Sequence, residues 1–345
     1  MELTSLQSKP WDRLNNGGLT FTELGFGTSP LGNLYREISE SDAHDTLEAA
    51  WETGIRYYDT APLYGVGLSE TRLNGFLRGK KRSDYVLATK VGRMLSVCPP
   101  EQRWGSELLH NTPSRTVGFD YSYDAVMRSI EFSFERLGVD RIDIIYVHNL
   151  DMHAHGSKEA TAQRIDELMN SGYRALIELR EQGVVKAIGC GIDDWEPAQN
   201  LVERGDFDIM LLAGRYTLLE QEPLKTFLPL CRKRGVGVVI GGVYNSGILA
   251  TGPVDGSYYD YAPAPAHIKK KVAEIEAVCE RHGIKLVEAA LKFPLMHPSV
   301  LCVLAGAQSV QEVERNRRVF DTKVPPVLWA DLKAEGLIRE EAPTE

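Results

Sequence analysis

Four side chains able to move or steer a proton recur at one kind of place in this sequence. Asp59 closes the apolar stretch Ile55–Asp59, Lys90 closes Val86–Lys90, and His148 closes Ile142–His148. Tyr64 follows Asp59 in the Pro- and Gly-containing segment "YYDTAPLYG". A buried carboxylate costs several kcal/mol unless a partner meets it. Lys90 is the cation in the matching position, so the pattern pairs Asp59 with Lys90.

A phenol, with a pKa of about 10, is a poor proton donor or acceptor at neutral pH. A nearby ammonium stabilises the phenolate and lowers that value. Asp59 would keep Lys90 charged, Lys90 would tune Tyr64, and His148 would orient a carbonyl or hydroxyl beside the phenol. Such a set suits proton transfer at an oxygen while hydride moves at its carbon. Singly, each residue has a plainer account: a turn cap, a packed ring, a solvated lysine, a satisfied histidine. Their joint placement at successive strand ends is what argues for chemistry.

The elements that must position them alternate almost from end to end. Apolar runs at Leu24–Gly27, Ile55–Asp59, Val86–Lys90, Ile142–His148, Val185–Gly189, Ile209–Leu212, Val236–Ile240 and Val300–Leu304 read as strands buried on both faces. Amphipathic segments between them, at Ser41–Thr53, Tyr123–Leu137, Gly172–Gln182, Ile268–His282 and Val310–Phe320, read as helices. Eight such strands predict an α/β fold, a closed parallel (β/α)8 TIM barrel whose C-terminal strand ends meet at one mouth. An open doubly wound sheet is the alternative, and no GxGxxG follows an early strand to support it.

Three segments fall outside the repeat. "RLNNGGLTF", with the turn dipeptide Asn16-Gly17, predicts an N-terminal hairpin. Met94–Tyr121 and Thr251–His267 are long loops after the third and seventh strands, where loops wall an active site. No linker or composition break interrupts residues 1–345, which reads as a single barrel domain.

The 345 residues are 43% hydrophobic and carry a formal net charge of -9 with no basic block, which argues against nucleic acid or an anionic membrane as partner. No apolar run reaches the roughly 18–20 residues of a membrane span. The N-terminus lacks a basic start and apolar centre, so no signal peptide is expected. Five scattered cysteines (Cys98, Cys190, Cys231, Cys279, Cys302) have no metal-ligand spacing and point to reduced thiols in a cytoplasmic setting. His153 and His155, in "DMHAHGSKEA", read as an exposed polar loop without a carboxylate–histidine ligand pattern, so no metal is expected. The oligomeric state is left open.

"GIRYYDTAPLYGVGLSETRLNGFL", "LATKVGR" and "IIYVHN" resemble the aldo-keto reductase family, over about Leu19 to Phe320. The resemblance implies a nicotinamide-dependent barrel with Asp59, Tyr64, Lys90 and His148 as catalytic tetrad, Tyr64 being general acid in reduction and general base in oxidation. "GTSPLGNL", "LLAGRYTLLEQ" and "VIGGVYNSGILA" are most similar to bacterial aldose 1-dehydrogenases acting on L-fucose, L-galactose and D-arabinose, with pyridoxal dehydrogenases as neighbours.

By the same resemblance, Gly27 and Thr28 would lie near the nicotinamide ribose, with Asp59 beside them. "GGVYNSGIL" would wrap the pyrophosphate through Gly241, Gly242, Val243, Tyr244, Ser246, Gly247 and Leu249. "AGAQSVQEVERN" would cradle the adenosine end through Gly306, Gln308, Ser309, Glu312 and Asn316. Where NADP-dependent members often carry Arg or Lys, this chain has Gln308 and then Glu312, a carboxylate suited to a free ribose diol. NAD is therefore the expected cofactor, with NADP as the alternative should Arg315 hold a phosphate. The family's carboxamide-gripping Asn and Gln have no match here; Asp193 and Ala213 stand nearby, and Gly241 replaces the ring that stacks on nicotinamide.

Trp104 with Tyr64 and His148 would meet the substrate, and Tyr35, Tyr258 and Tyr259 offer further aromatic faces for a sugar ring. The expectation is oxidation of an aldose at C1 to the lactone. The alternatives are pyridoxal 4-dehydrogenase, a general aldehyde reductase, a redox-sensing regulatory subunit with little turnover, and an aldolase using Lys90 as a Schiff-base amine.

Overall fold

The computed structural model describes residues 5–14, 18–105 and 107–344. Eight strands form a closed barrel: β1 (Leu24–Gly27), β2 (Tyr57–Asp59), β3 (Val86–Val91), β4 (Ile144–His148), β5 (Ala187–Ile192), β6 (Ile209–Ala213), β7 (Gly237–Gly241) and β8 (Val300–Gly306). Every neighbouring pair is parallel, and β8 closes on β1. The expected (β/α)8 barrel is the observed fold. β2, β3, β4, β5 and β7 are buried along their whole length, as their continuous apolar runs require.

Side chains of a strand alternate between its two faces, and that alternation sorts the residues. Tyr57 on β2, Val86 and Ala88 on β3, and Ile144 and Tyr146 on β4 pack together inside the barrel. Tyr58, Leu87, Ile145 and Val147 face the surrounding helices. Continuing the period of two, Asp59, Lys90 and His148 are the last inward-pointing positions on their strands.

Serine caps start two of the helices that flank the site. Ser39 accepts a hydrogen bond from Asp42 N and starts Glu40–Glu52; Ser122 does the same for Tyr123–Leu137, which Gly138 ends at φ 62°. The N-terminal hairpin is present as Ser8–Trp11 paired antiparallel with Leu19–Thr22. Its Asn16-Gly17 turn lies outside the described residues. Phe21 packs edge-on against Tyr57 at 5.1 Å, so the hairpin plugs the end of the barrel opposite the mouth.

Both long loops fold into small hairpins. Arg93–Val97 pairs with Arg115–Phe119 after β3. After β7, Tyr258–Tyr259 pairs with Ala262–Pro263. Its turn residues Asp260 and Tyr261 both have positive φ, at 51° and 62°, as a two-residue hairpin turn demands. The expected loop around His153 and His155 is instead a short helix, Met152–His155, capped by Asp151; His155 is half-buried with Nε2 3.0 Å from the Tyr121 hydroxyl. Among the described residues no group of His, Cys, Asp or Glu could hold a metal ion, and no helix is long and apolar enough to cross a membrane.

The loop after β1 and the turn carrying Tyr64 touch backbone to backbone. A Cβ on Gly32 would lie 2.4 Å from Gly65 N and 2.6 Å from Tyr64 C. Gly32→Ala is therefore expected to lower stability by about 2–4 kcal/mol, read from the urea midpoint; an unchanged midpoint would show that the two loops separate freely.

Candidate active site

Three strand ends and one turn build the site. Lys90 Nζ donates to Asp59 Oδ2 at 2.5 Å and to the Thr60 carbonyl at 2.9 Å, with both partners of the ion pair buried. Gly191 on β5 leaves room for the lysine, since a Cβ there would stand 3.3 Å from Lys90 Cε. The Asp59 carbonyl accepts from Thr28 N at 2.9 Å and from the Thr28 hydroxyl at 3.0 Å. The Ser69 hydroxyl in turn sits 2.7 Å from the Thr28 hydroxyl.

Tyr64 enters from the turn that follows. Gly65, Val66 and Gly67 run at φ 63°, 46° and 100°. A β-branched residue in the left-handed region is costly and persists only where its surroundings impose it. Here Arg115 Nη1 donates to the Val66 carbonyl at 2.8 Å, and only a glycine at 67 admits that guanidinium, because a Cβ would lie 2.4 Å from Nη1. The turn brings the Tyr64 ring edge-on to the His148 ring, centroids 5.8 Å apart at 87°, with Lys90 Nζ 4.9 Å from the phenol ring centroid. All four expected residues thus meet at the mouth.

The electrostatics differ from the expectation in one respect. The lysine charge is spent on Asp59. Burial, then Asp59 and Asp193, push the Tyr64 phenol well above its ordinary value, with only Arg93 opposing. The phenol therefore keeps its proton in this arrangement, where the sequence argument had Lys90 loosening it. Burial, Lys90 and Arg93 hold His148 well below the usual imidazole range, so its ring is neutral. Burial pulls Lys90 down and lifts Asp59, and each partner's charge works against that shift. Asp59 Oδ1 and His148 Nδ1 are buried without a hydrogen-bond partner, polar atoms of the kind a bound ligand satisfies.

The expected cofactor residues divide. Gly27 is half-exposed at the floor of the mouth, and nothing but Leu304 Cβ, at 3.9 Å, comes near its missing Cβ. Gly242 and Ser246 are exposed, Gly247 is half-exposed, and Gly242, Ser246 and Gly247 have positive φ of 58°, 59° and 103°. Tyr244 carries a buried hydroxyl without a partner. Such open backbone and a waiting donor fit a dinucleotide. Thr28 does not: its hydroxyl is committed to Asp59. Val243 and Leu249 are core side chains, and Gly241 is buried, so these can offer only backbone.

At the adenosine end, Gln308 Nε2 donates to Pro30 and Leu34 carbonyls while its Oε1 accepts from Arg36 Nε at 2.7 Å. The amide is a latch between loops, which leaves it little capacity for a ribose. Ser309 caps the helix Val310–Asp321, Glu312 Oε2 accepts from Gln308 N at 2.7 Å, and Asn316 Nδ2 donates to the Gly306 carbonyl at 3.2 Å.

Trp104 is 37% exposed on the hairpin after β3, Tyr35 and Tyr258 are exposed, and the Tyr259 hydroxyl is taken by Glu220 at 2.5 Å. Sequence reasoning passed over Arg93, Asn149 and Tyr261. Arg93 follows Lys90 by three residues within the quoted "LATKVGR", and its Nη2 donates to Asn149 Oδ1 at 3.0 Å. Tyr261 packs on the His153 ring at 5.2 Å and donates its backbone N–H to the Ser246 hydroxyl at 2.9 Å.

The aldo/keto reductase family profile matches residues 23–335. The chain is 41% identical to the pyridoxal 4-dehydrogenase of Microbacterium luteolum over 94% of its own length and 97% of that protein. It is 38% identical to the D-threo-aldose 1-dehydrogenase of a Pseudomonas species over 93% of its length and 96% of that protein. An Arabidopsis thaliana L-galactose dehydrogenase is 31% identical, over 88% and 85%. The structure of an aldo-keto reductase from Bacillus halodurans superposes with a TM-score of 0.73 at 24% identity, covering 99% of this chain and 97% of that one, a likeness of fold.

Removing one member of the buried pair leaves the other charge stranded. Lys90→Met is expected to cost about 3–5 kcal/mol in urea unfolding, and Lys90→Met with Asp59→Asn to cost less than the single change. Additive losses would show that the two residues do not act as a pair.

Proposed function

The chain belongs to the aldo/keto reductase family of NAD(P)H-dependent oxidoreductases, and from that premise we propose that it oxidises the cyclic hemiacetal of an aldose at C1 to the lactone, with NAD as acceptor. The meeting of Asp59, Lys90, Tyr64 and His148 at the barrel mouth carries this reading. Aldoses of the L-fucose, L-galactose or D-arabinose type are the substrates favoured, in keeping with the likeness to proteins named D-threo-aldose 1-dehydrogenase and L-galactose dehydrogenase. Pyridoxal is the second reading, favoured by the 41% identity to a pyridoxal 4-dehydrogenase. Its aldehyde and neighbouring hydroxymethyl group also close to a cyclic hemiacetal, so one chemistry serves both.

Tyr64 takes the proton of the C1 hydroxyl, and the neutral His148 ring orients that oxygen by a hydrogen bond. Arg93 is the charge that opposes the raised phenol, while Lys90, held by Asp59, sits with its Nζ 4.9 Å from the phenol ring centroid. NAD, when bound, supplies the acceptor for the C1 hydride. The glycine track Gly27, Gly242 and Gly247 and the backbone of Gly241, Val243 and Leu249 would hold it, with Tyr244, Ser246 and Asn316 nearby.

Glu312 fixes a negative charge in the first turn of its helix, beside Gln308. A like-charge contact at about 4 Å in water costs about 1 kcal/mol, or roughly fivefold in affinity, and a phosphate carries more than one charge. kcat/KM is therefore expected to favour NAD over NADP by at least fivefold, and Glu312→Gln to narrow the ratio; a clear NADP advantage in the wild type would reverse the assignment.

The raised phenol sets the pH response. Tyr64 acts as base only after losing its proton, and a pKa above the ordinary value keeps it protonated through neutrality. Oxidation rates should rise steadily from pH 7 into the alkaline range, while reduction, which needs the protonated phenol, should be fastest at the lower end. Tyr64→Phe should reduce kcat by about 10²–10⁴-fold and leave cofactor affinity unchanged. The deciding experiment is a panel of L-fucose, L-galactose, D-arabinose and pyridoxal with both cofactors. Turnover of pyridoxal alone would displace the aldose reading, and turnover undiminished in Tyr64→Phe would remove the mechanism.

A further inference from the structure

Beside the tetrad stand two opposite charges that do not pair with each other. Arg93 is half-buried, its guanidinium carbon 4.5 Å above the Phe119 ring, and its Nε is buried with no hydrogen-bond partner. Asp193, one residue past the end of β5, is also half-buried, and Asn149 Nδ2 approaches its Oδ2 at 3.4 Å. Among the described residues neither side chain has an ion-pair partner within 4.0 Å. Burial and Asp151 lift the Asp193 carboxyl to about 7, so it stands to gain from any donor that reaches it.

Asn149 is what keeps the two apart. It follows His148, sits in the left-handed region at φ 53°, and donates its backbone N–H to the Gly191 carbonyl at 2.8 Å. Its Oδ1 receives Arg93 and its Nδ2 is shared between Asp151 Oδ2, at 3.1 Å, and Asp193. Asp151 Oδ2 also receives Asp193 N at 3.1 Å, which anchors the acidic side of the row. The result is a fixed sequence of donor, spacer and acceptor. Both ends lie beside the reacting centre, for the Asn149 side chain that each contacts belongs to the residue directly after His148, whose ring meets Tyr64.

We propose that Arg93 and Asp193, spaced by Asn149, clamp two adjacent hydroxyls of the substrate, the pair next to the reacting carbon, one accepting from the guanidinium and its neighbour donating to the carboxylate. The proposal rests on the aldose reading and makes it narrower: the site selects polyhydroxylated hemiacetals over plain aldehydes. A hydroxyl pair is the ligand that satisfies a cation and an anion together, since each hydroxyl both donates and accepts. An anionic substrate would meet Asp193, and a cationic one would meet Arg93. The exposed Tyr261 ring, tilted against His153, offers the apolar face that sugar rings cover.

The test crosses variants with substrates. kcat/KM is measured for wild type, Arg93→Met and Asp193→Asn on the best aldose and on its 2-deoxy and 3-deoxy analogues, with NADH affinity followed by fluorescence titration. On the parent sugar each variant should lose roughly tenfold to a hundredfold, as for a hydrogen bond to a charged group. On one analogue the loss from Arg93→Met should vanish, and on the other the loss from Asp193→Asn, because the missing hydroxyl is the one that each side chain reads. Arg93→Lys, which keeps a cationic donor, serves if Arg93→Met does not fold. Equal losses on all three sugars, no loss at all, or a fall in NADH affinity would each overturn the clamp while leaving aldose oxidation standing. A wild type that oxidises no aldose would remove that reading, and the clamp with it.

Discussion

A single ion pair inside a barrel sets the terms for everything at the mouth. Lys90 and Asp59 lie 2.5 Å apart with almost no solvent contact. Burying two charges costs several kcal/mol for each, and their attraction repays it only when the geometry is tight and the remaining atoms find partners. Lys90 meets that condition with a second bond to the Thr60 carbonyl, but Asp59 Oδ1 stays without a partner. The surroundings supply the geometry: Thr28 and Ser69 pin the Asp59 backbone, and Gly191 clears the volume that the lysine fills.

That pair decides the charge state of its neighbours. With its charge answered by Asp59, Lys90 does little to draw the proton from Tyr64, while burial and nearby carboxylates hold that proton in place. Lys90 and Arg93 together keep the His148 ring neutral. The site at rest is a neutral phenol and a neutral imidazole facing one space, an arrangement that can donate to a carbonyl oxygen or, after losing the phenol proton, accept from a hydroxyl.

The two ends of the barrel treat buried charge in opposite ways. At the N-terminal end, Asp143 is met by Arg82 and Arg141, and Asp208 by Arg13 and Arg180, and both also receive backbone N–H groups of the strands. Those acids are fully answered and hold strands together. At the mouth, Asp59 Oδ1, His148 Nδ1 and Arg93 Nε are buried and unanswered, and among the described residues Asp193 has no ion-pair partner within 4.0 Å. Unsatisfied buried groups cost stability, and these three stand together where a ligand can make up the difference.

Eight apolar runs, their period of two, and three polar residues closing them were enough to determine the barrel, its mouth and the membership of Asp59, Lys90 and His148 in one inward-facing layer. Alternation along a strand is a local property, so the chain states it directly. The Lys90 partner was legible for the same reason, since a buried acid and a buried base at matching strand ends have few other ways to be answered. What depended on distances between segments was not legible. Only the folded chain shows that the Asp59 contact leaves Lys90 little hold on the Tyr64 proton, that the Thr28 hydroxyl and the Gln308 amide are consumed in latching loops, and that Arg93, Asn149 and Asp193 line up across three strand ends. Each of those outcomes turns on which of several competing partners lies nearest, and that choice is made by tertiary packing.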